Sequence, residues 1–116
     1  MSDSEAQEIL AARSAYKEGF GLFVKGQIED AIAHYRDALA IDDTLSIAWN
    51  GLSMALARKG ELDEAIKAAL KLVELEPDDP LSHTNLSRIL MQKGLIPEAE
   101  DARAKAMGLQ MRQQGN

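Results

Sequence analysis

The side chains able to perform acid–base or metal chemistry are few and scattered. His34 and His83 stand in different parts of the chain, and two acidic pairs, 42–43 and 78–79, fall in short linkers. A calcium loop needs alternating oxygen ligands over a longer stretch. The sequence contains no paired-histidine, nucleophile-elbow or glycine-rich phosphate motif, and it has no cysteine to supply a thiolate. We therefore predict no catalytic residue, no metal site and no cofactor.

Composition favours a single helical domain. Alanine, leucine and glutamate dominate the 116 residues, and β-branched and aromatic residues are few. The net charge of −6 argues against nucleic-acid or anionic-membrane binding by bulk electrostatics. The uncharged apolar runs are far shorter than the ~20 residues of a membrane span. The acidic N-terminus lacks a basic-then-apolar run, so we expect no secretory signal and a cytoplasmic protein.

One pattern occurs three times with a period of 34 residues. It is carried by Leu22, Leu56 and Leu90, by Gly26, Gly60 and Gly94, and by Ala31, Ala65 and Ala99. Each glycine follows a lysine and separates two stretches whose apolar residues recur at helical spacing. The pattern predicts three helix–turn–helix units, whose short loops make consecutive helices antiparallel neighbours.

The repeat also sets the predicted boundaries. We expect an N-terminal helical extension at 1–11, repeats at 12–45, 46–79 and 80–113, and a frayed tail at 114–116. Ser2 and Glu5 have the spacing of a capping box, so the extension should begin as a helix. Met111 stands where the middle repeat has Pro77, so the last helix is expected to continue past Leu109.

The repeat resembles the tetratricopeptide repeat (TPR) family, which has this period and this helix–turn–helix unit. The middle repeat carries the family pattern best, with Trp49, Leu52, Ser53, Leu56, Ala65, Ala69, Leu72 and Pro77. Arg103 departs from it, because it replaces the aromatic that Tyr35 supplies in the first repeat. The resemblance implies an all-α, right-handed α-solenoid of three units with six antiparallel helices. It also implies a non-enzymatic role in binding other proteins, as an adaptor, a scaffold or a co-chaperone.

Family members usually bind ligands in a concave groove lined by the first helix of each unit. Helical geometry places on that face Arg13, Tyr16, Lys17, Phe20, Phe23 and Val24, then Ile47, Asn50, Gly51, Met54, Ala57 and Arg58, then Leu81, Thr84, Asn85, Arg88, Met91 and Gln92. The face is unusually apolar, and its charged residues are all basic. We therefore predict a partner peptide or amphipathic helix with apolar anchors and some acidic character. For Phe23 and Val24, packing between repeats or under the N-terminal extension is the alternative to a groove role.

One further expectation concerns the type of binding. Family members that clamp the C-terminal carboxylate of chaperone tails share five polar or basic groove residues. At those positions this chain has Tyr16, Phe20, Gly51, Leu81 and Asn85, so we do not expect that subtype.

The alternative function is that of a structural subunit. We expect no capping helix after the last repeat, and we expect Met107, Leu109 and Met111 to form an apolar edge. Through that edge the chain would self-associate as a homo-oligomer or join a larger assembly.

Overall fold

The computed structural model describes residues 1–115, which form six α-helices and no β-strand. The helices are α1 (Asp3–Val24), α2 (Ile28–Ile41), α3 (Ser46–Lys59), α4 (Leu62–Leu75), α5 (Pro80–Lys93) and α6 (Ile96–Gln114). Each helix packs on the next along the chain, and α3 also contacts α1 and α5. This arrangement confirms the predicted all-α solenoid built from helix–turn–helix units. None of the described helices has the length and apolar character needed to cross a membrane.

Local sequence signals explain where the helices begin and end. The Ser2 hydroxyl accepts the backbone N–H of Glu5, and the Glu5 carboxylate accepts the backbone N–H of Ser2, which confirms the capping box. The glycines that end the first helix of each unit have φ angles of 81° or 90°. In that left-handed region a side chain would clash with the backbone, so glycine is the favoured residue.

Tyr35 is the central side chain between the first two units. It is 1% exposed, and its ring lies between Gly19 of α1 and Gly51 of α3. A Cβ atom would lie 2.9 Å from this ring at Gly19 and 2.7 Å from it at Gly51. Both positions must therefore be glycine for the ring to fit. The prediction that Gly51 belongs to the groove face is wrong, because Tyr35 covers it.

The last helix corrects one expectation about the apolar edge. Leu109 is only 4% exposed, because it lies on the same side of α6 as the buried Ala102 and Ala106. Met107 and Met111 are 50% and 69% exposed. The exposed apolar side chains at this end are thus the two methionines, without Leu109. The predicted tail at 114–116 starts inside α6, and its last residue lies outside the described residues.

Candidate functional site

The predicted groove residues lie on α1, α3 and α5, which contact one another in that order. Five large apolar side chains on these helices are between 38% and 69% exposed: Phe20, Ile47, Met54, Leu81 and Met91. Four others are half-buried: Tyr16, Phe23, Asn50 and Thr84. The basic residues are exposed: Arg13, Lys17, Arg58 and Arg88. An apolar face of this extent is typical of a binding surface.

A pocket of ≈ 330 Å³ lies where the three helices meet. We call it the three-helix pocket; it is lined by Phe23, Met54, Ala57, Arg58, Asn85, Arg88, Ile89 and Gln92. Every lining residue except Ile89 stands on the predicted face, so the pocket brings together predicted residues of three different repeats. Its volume is at the low end of the range for ligand pockets, about 300–1,000 Å³, and suits one large side chain.

Arg58 is held in place by an aromatic ring. Its guanidinium lies 5.0 Å from the centroid of the Phe23 ring, a distance at which the cation is attracted to the π face. Neither Arg58 nor Arg88 forms an ion pair with another described residue. Phe23 thus combines the two roles considered for it, because it packs against the core and also lines the pocket.

Buried hydrogen bonds fix the polar part of the pocket. Asn85 Nδ2 donates to Ser53 Oγ at 2.8 Å, and Ser53 Oγ donates to the carbonyl oxygen of Asn50 at 2.8 Å. Gln92 Nε2 donates to the carbonyl oxygen of Ala57 at 3.0 Å. These bonds join α3 to α5, so the pocket exists before any ligand binds. Asn85 is buried rather than open to the groove, because its amide is used in this way.

One lining residue, Ile89, was absent from the predicted face. Ile89 follows Asn85 by four residues, which places it on the same row of α5. That four-residue spacing is the signal that would have identified it.

An aromatic cluster lies on the α1 side of the site. Tyr16 stacks on Phe20 with ring centroids 6.2 Å apart, and it also contacts the buried Tyr35 at 5.7 Å. Burial raises the pKa of Tyr16 and raises that of Tyr35 to about 12, with the charge of Tyr16 as a second cause. Both phenols are therefore neutral at physiological pH, and this end of the face carries no negative charge.

The remaining predicted residues do not all share one cavity. Ile47, Asn50 and Leu81 line a depression of ≈ 410 Å³ that also includes Glu76 and Asp79. Thr84 and Met91 line another, of ≈ 470 Å³, beside Arg88. The α1 residues Arg13, Tyr16, Lys17 and Phe20 line none of these three cavities. The face is therefore a strip of separate shallow depressions, of which the three-helix pocket is the one lined by all three helices α1, α3 and α5.

The two histidines lie away from this strip. His83 is buried, and its Nε2 donates to the carbonyl oxygen of Pro77 at 2.7 Å. His34 Nδ1 lies 2.9 Å from the carbonyl oxygen of Asp30, and its Nε2 lies 3.2 Å from a Glu18 carboxylate oxygen. Within residues 1–115 no histidines and carboxylates cluster as a candidate metal site.

Several solved structures have the same fold. The crystal structure of MamA superposes with a TM-score of 0.87 at 23% identity, covering 93% of this chain and 63% of that one. The second TPR of Spaghetti (RPAP3), bound to the HSP90 peptide SRMEEVD, has a TM-score of 0.86 at 20% identity. The match covers 93% of this chain and 99% of that one. The type III secretion translocator chaperone SycD of Yersinia enterocolitica has a TM-score of 0.82 at 23% identity. The match covers 90% of this chain and 78% of that one. This chain thus spans less than two thirds of the MamA chain.

The sequence itself gives a family match. No curated protein matches the chain. The model of the tetratricopeptide repeat matches residues 16–80, more than half of the chain. This match covers the first turn glycine, the Tyr35 interface and the whole middle repeat. Together with the six-helix solenoid, it shows that the chain belongs to the tetratricopeptide repeat family.

Proposed function

We propose that this chain is a non-enzymatic module that binds a peptide or amphipathic helix of a partner protein. The binding face, which we call the groove, consists of Arg13, Tyr16, Lys17, Phe20, Phe23, Ile47, Asn50, Met54, Arg58, Leu81, Thr84, Arg88 and Met91. The observation that carries the proposal is the three-helix pocket, which combines apolar walls with two arginines that have no acidic partner. A peptide bound to the similar Spaghetti TPR, and the CopN–Scc3 complex among the similar structures, support the class of function.

The chemistry of the groove defines the partner. Burying apolar surface contributes about 25 cal/mol per Å², so side chains that cover Phe20 and Met54 supply most of the affinity. A carboxylate beside Arg58 and Arg88 forms charge-assisted hydrogen bonds that set the register of the segment. The partner therefore carries apolar anchors and an acidic residue. The five positions of the chaperone-tail clamp lack its residues, so the partner is not held by a C-terminal carboxylate clamp.

This role suits an adaptor, scaffold or co-chaperone. We place the protein in the cytoplasm, where an absence of cysteine is ordinary.

The test is partner capture by a groove variant. We expect Phe20→Ala combined with Met54→Ala to weaken binding of the partner about 1,000-fold, because hot-spot truncations cost about 2 kcal/mol each and every 1.4 kcal/mol is tenfold in affinity. The partner is identified by affinity purification from source-cell lysate, and its affinity is then measured by isothermal titration calorimetry. Both side chains are exposed, so circular dichroism should show unchanged helicity and nearly unchanged melting.

Met107→Ala is the control, because it removes an exposed methionine from the last helix, 50% exposed against 38% for Met54. If Met107→Ala abolishes capture and the groove variant does not, α6 is the interface. The protein is then a structural subunit, a role favoured by the exposed Met107 and Met111. Light scattering across a concentration range would then show whether the chain binds itself.

A further inference from the structure

A second apolar cleft lies on the other side of α5 from the three-helix pocket. It has a volume of ≈ 410 Å³ and is lined by Ile66, Leu70, His83, Leu86, Leu90, Glu98, Asp101 and Ala102. We call it the α4–α6 cleft, because α4 and α6 form its walls and α5 forms its floor. The two walls do not pack directly against each other within the described chain. It shares no residue with the groove.

The preceding repeat has a different side chain at the position that His83 occupies in the cleft. Trp49 occupies the position that His83 has in the cleft, 34 residues further on. Trp49 Nε1 donates to the carbonyl oxygen of Asp43 at 2.7 Å, and His83 Nε2 donates to the equivalent carbonyl oxygen, of Pro77, at 2.7 Å. The hydrogen bond is preserved, but the imidazole lacks the six-membered ring of the indole. The cleft floor is therefore missing the volume of that ring.

The charged residues also differ between the α4–α6 cleft and the equivalent gap one repeat earlier, which lies between α2 and α4. In the first gap, Arg36 Nη2 donates to a Glu64 carboxylate oxygen at 3.2 Å and so joins α2 to α4. One repeat later the equivalent residues are Leu70 and Glu98, which cannot form this bond. Leu70 is 50% exposed, and neither Glu98 nor Asp101 forms an ion pair with a described residue. The cleft thus has an apolar wall opposite an unpaired acidic wall.

We propose that the α4–α6 cleft binds a partner segment in which a tryptophan stands beside an arginine. The indole packs against Leu70 and Leu86 beside His83, the position of the repeat at which the preceding unit carries its own tryptophan, Trp49. The guanidinium pairs with Glu98 and Asp101, as Arg36 does with Glu64. This site goes beyond the groove, because it selects a basic segment where the groove selects an acidic one.

The probe for this site is N-acetyl-Trp-Arg-amide, titrated into the full chain labelled with ¹⁵N and observed by NMR. We expect saturable shifts at the amides of Leu70, Glu98 and Asp101, and none with N-acetyl-Trp-Glu-amide. Glu98→Gln combined with Asp101→Asn should raise the dissociation constant of the Trp-Arg probe about tenfold, because the charge-assisted bonds are lost. Phe20→Ala with Met54→Ala should leave it unchanged, which separates this site from the groove.

A second variant gives the cleft the arginine and the tryptophan that the preceding repeat has at the equivalent positions, 36 and 49. Leu70→Arg with His83→Trp supplies the missing guanidinium and ring from the chain itself, so it should abolish probe binding. If this variant fails to fold, the Glu98→Gln and Asp101→Asn variant decides the question. No saturable shift in the millimolar range, equal shifts with the two peptides, or full binding by either cleft variant would overturn the proposal. Cleft shifts that depend on protein concentration without peptide would instead identify a second copy as the occupant.

Discussion

Gly51→Val is expected to lower the free energy of unfolding by about 3 kcal/mol, the upper part of the range for overpacked cores. Even the first added carbon would lie 2.7 Å from Tyr35 Cζ. The ring cannot move aside, because its other side is closed by Gly19 and the ring itself is 1% exposed. Loss of stability should follow from separation of α1 and α3, and chemical denaturation monitored by circular dichroism measures it.

Gly21→Val is the matched control for this experiment. Gly21 is also inside a helix, but a Cβ atom there would meet nothing within 4 Å. Its substitution should change stability by less than about 1 kcal/mol, since only helix propensity is altered. Combining Gly51→Val with Tyr35→Leu should recover part of the loss, because the clashing ring is removed. Equal destabilisation by the two valine variants would contradict this account of the first interface.

Arg58→Glu combined with Arg88→Glu is expected to weaken partner binding by about 100-fold or more. Two attractive charge pairs become repulsive, and truncating charged partners at interfaces commonly costs about 2–5 kcal/mol. The free energy of unfolding should change little, because neither arginine has an ion pair to lose. Arg58 loses only its contact with Phe23, worth about 0.5–1 kcal/mol at an exposed site. Calorimetry with the identified partner segment measures the affinity.

The control for this variant carries the same change in net charge on the second helices. Lys67→Glu with Lys105→Glu alters long-range attraction while leaving the groove intact. This control should reduce the affinity for the partner far less than Arg58→Glu with Arg88→Glu does. A partner that binds the arginine variant as well as it binds this control is not an acidic segment. That result would remove the charge argument while leaving the apolar one in place.

Much of the fold follows from the sequence because each repeat carries its own local instructions. The glycines at 26, 60 and 94 end one helix of every unit, and their left-handed backbone has a steric cause that is visible in the residue type. The Ser2–Glu5 capping box and Pro80 likewise mark helix starts without reference to the rest of the chain. Local rules of this kind were sufficient to predict six helices and their pairing.

The site was less predictable because it depends on how one unit rotates against the next. Helical spacing within a unit indicates a face, but it does not show that Tyr35 reaches Gly51 or that Phe23 lies under Arg58. Leu109 was assigned to an exposed edge for a different reason, because its spacing of three residues from Ala106 and seven from Ala102 was not used to place it on the row of α6 that faces α5. Contacts between units, such as that of Tyr35 with Gly51, are the part of the site that spacing within one unit does not indicate.

Site-directed cross-linking from the groove tests the central claim most directly. The chain has no cysteine, so Met54→Cys introduces a single thiol that a benzophenone maleimide labels beside the three-helix pocket. Met107→Cys places the same label on α6 as the matched control. We predict that irradiation with the bound partner gives a covalent adduct from position 54 and none from position 107. An adduct from position 107 alone would contradict binding in the groove.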